Sequence, residues 1–402
     1  MFRNRPVRAL LTAQFLSAFV DNMILFIVQA IILRDHFPGY YLPLVQGTFL
    51  FSYIVLSPWV GCFADQKPKA TVLIIGNVVK ACGVLSLMLQ ADPALSYAIV
   101  GVGAVIYSPA KYGILPFLTR GGDALLLRAN SHLESFTILA ILSGSVAGGY
   151  LADKSIALAL AVCLALYALS ILVNKFIPRD AGNRGISYRH AMRGFLADTL
   201  TLLRQPQANY SLLGTGSFWL VSAVLRLIIF AWVPLTLGIS SGVQIGLIMA
   251  VTAVGISLGA VLTPYIITLR TYTRTLWFGF GVAACIFSFM MIHSLLPTVA
   301  ILLLLGCLGG IFIVPLNTTL QHVGHGMIGA GKTIAVQNFV ENTCMFFGVG
   351  CYTLATKAGL AVNYSLAGTG LLLMGFLLYL LLLVKKAPAD GMARSEGAFM
   401  GQ

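Results

Sequence analysis

The chain has 402 residues, 58% of them hydrophobic and only 9% charged, against about 25% charged in an ordinary soluble domain. A mean hydropathy of +0.92, carried by repeated apolar runs of about twenty residues, excludes a soluble globular enzyme and implies a polytopic helical membrane protein. The net charge of +13 points to basic loops on the cytoplasmic face of a membrane and to no nucleic-acid partner.

In chain order, the start MFRNRPVRALL is basic and runs into an apolar stretch with no small-residue cleavage pattern, which reads as an uncleaved first helix. Twelve spans are expected. Six cover 9–33, 43–63, 70–90, 94–118, 129–152 and 155–177, and six cover 210–237, 243–268, 274–293, 297–320, 332–356 and 361–384. The longest polar segment, PRDAGNRGISYRHAMRGFLADTLTLLRQP, separates them. The domain expectation is a six-helix half over 1–177, a basic linker over 178–209, a second six-helix half over 210–386 and a tail over 387–402. The seven cysteines sit in or beside apolar spans without paired spacing, so neither disulfides nor a metal site is expected, and no cofactor.

Charge bias gives the orientation. Of the 25 Lys and Arg, nineteen fall in segments that would lie inside if the N-terminus is inside, three outside (Arg34, Lys154, Lys357) and three within spans (Lys80, Lys111, Arg226). That asymmetry predicts both termini in the cytoplasm. An all-α chain of twelve transmembrane helices in two six-helix halves around a midplane cavity is the major facilitator arrangement. The halves echo one another faintly: GAVIYSPAKYG (103–113) against GGIFIVPLNTT (309–319), and SHLESF (131–136) against NFVENT (338–343).

Asp21 lies in FVDNMILFIVQAIIL, midway between Arg8 and Arg34, where an unpaired charge is costly and usually functional. Arg226 occupies the matching depth of the seventh span. Opposite charges on the leading helices of the two halves are expected to pair, either across the cavity as a substrate-responsive contact or as a static bridge. Lys80, in NVVKACGV, is also near midspan and reads equally as a bundle-facing structural lysine or a substrate contact. Lys111 follows Pro109 and precedes Gly113, which together loosen the helix beside the charge; the expectation there is a substrate contact.

Glu134 and Glu341 fall near the inner ends of their spans, with Asn130 and Gln337 one helical turn before them on the same faces. Asn317, Gln321, Asn338 and Asn342 add polar groups at that level. Inner-gate hydrogen bonding and plain helix packing remain open for this set. Ser143-Gly144-Ser145 with Gly148-Gly149, and Gly255 with Gly259, read as small-residue packing seams. Gly326 to Thr333, GMIGAGKT, satisfies the phosphate-loop pattern, but that loop must follow a strand and open a soluble helix, whereas this one joins two spans. Nucleotide binding is therefore not expected.

Between the second and third spans, GCFADQKPK (61–69) resembles the G-x-x-x-D-…-[RK] loop of the major facilitators without its usual second glycine. In that superfamily the Asp caps a neighbouring helix end, a role the resemblance gives to Asp65. More specifically, AQFLSAFVDN (13–22), GVGAVIYSPAKYGIL (101–115), LSGSVAGGYLAD (142–153), FIVPLN (312–317) and AVQNFVEN (335–342) closely resemble the bacterial lysophospholipid transporter family, from about residue 8 to 384. The basic linker and the last helix carry no clear family strings.

The resemblance implies a transporter and no enzyme. It would move lysophosphatidylethanolamine and lysophosphatidylglycerol from the outer to the inner leaflet of a Gram-negative inner membrane. Its expected partner is a cytoplasmic acyltransferase/acyl-acyl-carrier-protein synthetase that restores the second chain. For such a cargo, Arg226 and Lys111 suit the phosphate, Asp21 an ammonium, and Phe26, Trp219, Phe230 and Trp232 the acyl chain. The alternative is a proton-coupled exporter of amphipathic small molecules, with Asp21 carrying the proton; a non-transporting scaffold for the acyltransferase is a third reading.

Overall fold

The computed structural model describes residues 5–37, 41–119, 123–183, 185–186, 188–239 and 242–386, with the side chains at 33, 42–44, 46, 123–124, 230, 243, 270 and 386 outside that description. Among the described residues the regular structure is helical, with no strand. The first half comprises α1 (Arg5–Arg34), α2 (Tyr41–Gln66), α3 (Lys69–Met88), α4 (Pro93–Gly113), a four-residue α5 (Leu115–Leu118), α6 (Asp123–Lys154) and α7 (Ile156–Asn174). A linker helix, α8 (Ala191–Arg204), follows. The second half holds α9 (Pro206–Leu237), α10 (Gly242–Ile266), α11 (Thr275–Ser288), α12 (Leu295–Met327), α13 (Ala330–Lys357) and α14 (Val362–Lys386).

The helix ends follow local chemistry. Asp92 accepts the Leu95 N–H at 3.0 Å ahead of α4 with Pro93 in the first turn, and Ser155 does the same for Leu158 at 3.3 Å at the start of α7. Gln205 accepts the Ala208 N–H at 2.6 Å before Pro206 and α9, and Gly238 closes that helix in the left-handed region at φ 68°. In α4, Pro109 lies inside the helix, which ends at Gly113 and restarts as α5 one residue later.

Among the described residues, eleven helices are long and apolar enough to cross a membrane. The twelfth expected span is α13, 28 residues long, whose Gln337, Asn338, Glu341 and Asn342 dilute its hydropathy. Helices that face protein on all sides need not be lipid-like, and α13 is packed between α2 and α9. An even number of crossings returns the chain to the end it started from, called here the terminal end.

Each half has its own apolar core, one built on α1, α3, α4 and α7 and the other on α9 to α12 and α14. Within the second half α10 and α12 touch backbone to backbone. A Cβ added to Gly259 would stand 2.0 Å from the Cys307 carbonyl oxygen, and one on Gly306 would stand 2.1 Å from that of Thr252. Gly144 and Gly148 admit Phe19 and Met23 of α1 in the same way, whereas Gly149 has open space around it.

A helix in the linker was not expected from the sequence. Its bundle-facing residues, Ala191, Phe195 and Leu202, are buried. Phe195 meets Phe339 of α13 edge-on at 5.3 Å, and Asp198 pairs with Lys332 at 3.0 Å. The segment leading into α8 holds the first half instead: Asp180 pairs with Lys69 at 3.1 Å, Asn183 donates its backbone N–H to the Asp65 carbonyl, and Tyr188 bonds Gln66 at 2.8 Å. The linker therefore grips both halves at the terminal end.

Candidate functional site

Asp21 sits in the second half of α1, and its carboxylate is matched from within its own half. Lys80 of α3 reaches it at 2.7 Å and also donates to Ser17 at 2.9 Å, while the Tyr167 hydroxyl of α7 donates to the other carboxylate oxygen at 2.6 Å. Behind this pair runs a buried chain: Ser17 to Asn77 at 2.8 Å, Asn77 to Ser170 at 2.9 Å, and Ser170 to the Ala13 carbonyl at 2.9 Å. The Lys80 ammonium lies 4.7 Å from the Tyr107 ring centre. The expected Asp21–Arg226 pair is not present. Helices of one half stay neighbours whatever the halves do, so a buried carboxylate is matched first by a cation of its own bundle. Sequence reasoning found Lys80 but not its partner, and missed Tyr167, Asn77 and Ser170 entirely.

Arg226 lies near the middle of α9. Its side chain is exposed. Among the described residues it has no carboxylate within ion-pair distance. Lys111 is half-buried on α4, with its ammonium 4.3 Å from the Tyr112 ring centre and again no carboxylate within ion-pair range among the described residues. Of the aromatic residues expected beside the cargo, Phe26 is exposed and Trp219 half-buried. Trp232 is instead core, packed 4.9 Å from Phe289. That corrects its expected role. Phe230 lies outside the described side chains.

The expected polar network is assembled at the terminal end, where it ties the halves together. Asn130 of α6 and Gln321 of α12 exchange amide hydrogen bonds at 3.1 and 3.0 Å. Glu134 accepts from Tyr112 at 2.8 Å and, across the halves, from Asn317 at 3.1 Å. Gln337 extends the chain by donating to Asn317 and to Glu341, both at 2.7 Å. Asn338 of α13 donates to Ser108 of α4 at 2.9 Å. Glu134 and Glu341 are 4% and 8% exposed, so each depends on these donors. Tyr112 and Ser108 are the members that sequence reasoning missed.

Asp65 completes the closure. Its carboxylate accepts the backbone N–H of Gly331 at 2.7 Å and of Lys332 at 3.0 Å, at the start of α13 in the opposite half. A helix start offers unpaired N–H groups and a partial positive charge, so a carboxylate caps it. The geometry demands glycine: Gly329 has φ 98°, and a Cβ on Gly331 would meet the Asp65 carboxylate at 2.7 Å. The GMIGAGKT pattern thus holds an anion through backbone N–H groups as a phosphate loop does, but the anion is Asp65.

These cross-half bonds all use the portions of the helices nearer the terminal end, where α2 meets α13 and α6 meets α10 and α12. The leading helices α1 and α9, which carry Asp21 and Arg226, are not among the closely packed pairs. The described cross-half bonds therefore close the terminal end, and Arg226 is an exposed side chain on α9.

The Major Facilitator Superfamily family model matches residues 10–349. The lysophospholipid transporter LplT of Yersinia enterocolitica is 42% identical over 362 residues, covering 89% of each chain, and that of Photorhabdus laumondii is 40% identical over 372 residues, covering 92% of this chain and 93% of its own. Among solved structures, the fucose transporter FucP in its outward conformation superposes with a TM-score of 0.73 at 12% identity, covering 94% of this chain and 98% of its own. A bacterial homologue of the iron transporter ferroportin in an outward-facing state reaches 0.72 at 15%, covering 94% and 99%. The last two show the fold alone. With a family model over most of its length and relatives of this similarity along nearly all of it, the chain belongs to the major facilitator superfamily and, within it, to the LplT family.

Proposed function

We propose that the chain transports lysophospholipids, taking lysophosphatidylethanolamine and lysophosphatidylglycerol from the outer to the inner leaflet of a bacterial inner membrane, where a cytoplasmic acyltransferase/acyl-acyl-carrier-protein synthetase restores the missing chain. The observation that carries this reading is the charge balance among Asp21, Lys80, Lys111 and Arg226. Asp21 is neutralised by Lys80, whereas Arg226 and Lys111 have no carboxylate within ion-pair distance among the described residues. Lys111 lies within electrostatic reach of Glu134, whereas among the described residues Arg226 has no charged neighbour acting on it; in this reading the arginine offers the phosphate a two-pronged grip and Lys111 a second positive charge. The transporter names of the relatives in the LplT family support the same cargo.

In this reading residues 1–177 and 210–386 move as two bodies joined by the linker over 178–209. Phosphate is held by Arg226 and Lys111, with Asp21 and Lys80 nearby to meet the rest of the head group. Asp65, Asn130, Glu134, Asn317, Gln337, Asn338 and Glu341 form the gate that must open toward the cytoplasm. Purified protein reconstituted into liposomes is expected to move a fluorescent or isotopically labelled lysophosphatidylethanolamine across the bilayer and to leave the diacyl lipid where it is. Equal movement of both lipids, or of neither, overturns the assignment.

The nineteen-to-three basic bias supports a cytoplasmic terminal end. Single cysteines at 36, 185 and 390, each in an otherwise cysteine-free chain in intact spheroplasts, test it. Only the first is expected to react with an impermeant maleimide; labelling at 185 or 390 reverses the orientation and with it the direction of transport.

A further inference from the structure

We propose that the linker helix α8 is a membrane-surface element that docks on the anionic lipid leaflet at the terminal end, with Met192, Leu196 and Leu200 entering the acyl layer and Arg193 and Arg204 meeting lipid phosphates. α8 presents two apolar faces, and the bundle covers one of them. Ala191, Phe195 and Leu202 are buried against α2, α9 and α13. Met192, Leu196 and Leu200 form a single i, i+4 row on the outside and are 47%, 54% and 53% exposed. Arg193 and Arg204 lie beside that row and are exposed. An apolar row flanked by arginines is the pattern of a helix lying in a lipid interface.

The position of α8 selects the occupant. Phe195 meets Phe339, nine residues beyond the start of α13 at Ala330. At about 1.5 Å per residue the Phe339 backbone is roughly 13 Å inside the end of α13, and Asp198 meets Lys332 next to that end at 3.0 Å, so α8 packs along the side of the first turns of α13. Exposed Trp277 and Phe176, at 72% and 76%, stand beside exposed Arg274 and Lys175 at the same end and mark the head-group level. The outer row of α8 is thus continuous with the lipid-facing surface of the protein. A protein partner would need about 800 Å² on each side, far more than one row of three side chains supplies.

The test uses the full-length protein, otherwise free of cysteine, in nanodiscs, with an environment-sensitive fluorophore at Leu200→Cys or at Ala197→Cys on the exposed side away from the row. Brominated lipid is expected to quench the probe at 200, and aqueous iodide the probe at 197. Replacing part of the phosphatidylcholine by phosphatidylglycerol should deepen the lipid quenching at 200. Arg193→Gln with Arg204→Gln should weaken that response by about fivefold per arginine. Neither change removes a bundle contact, and a monodisperse elution profile confirms that the variants fold. Iodide access at 200 equal to that at 197, quenching at 200 by neither agent, or an undiminished phosphatidylglycerol response in the double variant overturns the proposal.

Discussion

Asp21→Asn is expected to destabilise the protein by about 3 kcal/mol, the lower end of the range for breaking one side of a buried pair. The survivor decides the size. Lys80 is 1% exposed, and Ser17 and the Tyr107 ring cannot replace a carboxylate for it. The Asp21 side chain, 22% exposed, faces enough water to keep the loss below the maximum. Asn keeps the shape and can still accept from Tyr167, so the loss reports the charge. Lys80→Met combined with Asp21→Leu removes both partners and should recover most of the stability, because well-packed apolar replacements of a buried ion pair are often neutral or better. Thermal unfolding of Asp21→Leu, of Lys80→Met and of the double variant, read as a double-mutant cycle, isolates the pair. Unchanged unfolding of Asp21→Asn would mean that Lys80 has another counter-ion.

Arg226→Ala is expected to give the opposite phenotype, a stable protein without transport. Its side chain is exposed and its loss leaves no carboxylate orphaned among the described residues, so truncation costs little in folding. On the proposed function it removes a charge-assisted contact to phosphate worth about 1.5–3 kcal/mol, equivalent to roughly a 10- to 150-fold loss of affinity. Arg226→Lys keeps the charge but loses the planar fork and should fall between the two. Lysolipid uptake measured beside thermal stability separates the outcomes. Wild-type transport by Arg226→Ala would remove Arg226 from the phosphate site.

The spans were legible because apolar runs of about twenty residues leave few alternatives in a membrane. Even α13 is visible as a span at 332–356, despite a polar face that lowers its hydropathy. α8 was hidden for the complementary reason: fourteen residues of mixed character inside a basic segment read as loop until a bundle supplies the face that Phe195 and Leu202 cover. The polar network was half legible. Spacing of four placed Asn130 with Glu134 and Gln337 with Glu341 on shared faces, but Tyr112 and Ser108 are ordinary residues for an apolar helix and stand out only once α4 lies against α6 and α13. Depth along a helix was readable for Asp21, Arg226 and Lys80, whereas the direction each side chain faces was not. That is why the cross-half pair was expected and the within-half pair was found.

The central claim is that lysolipid passes through the space between the halves by opening the end that Asp65 and the polar gate hold shut. A reversible tether across that gate tests it most directly. Ser108→Cys with Asn338→Cys replaces a hydrogen-bonded contact between α4 and α13 by a cross-linkable pair in an otherwise cysteine-free chain. Reconstituted in liposomes, the reduced protein is expected to move lysophosphatidylethanolamine, to stop when oxidised, and to resume when reduced again. Lysolipid moving at an unchanged rate with the disulfide fully formed would contradict the account.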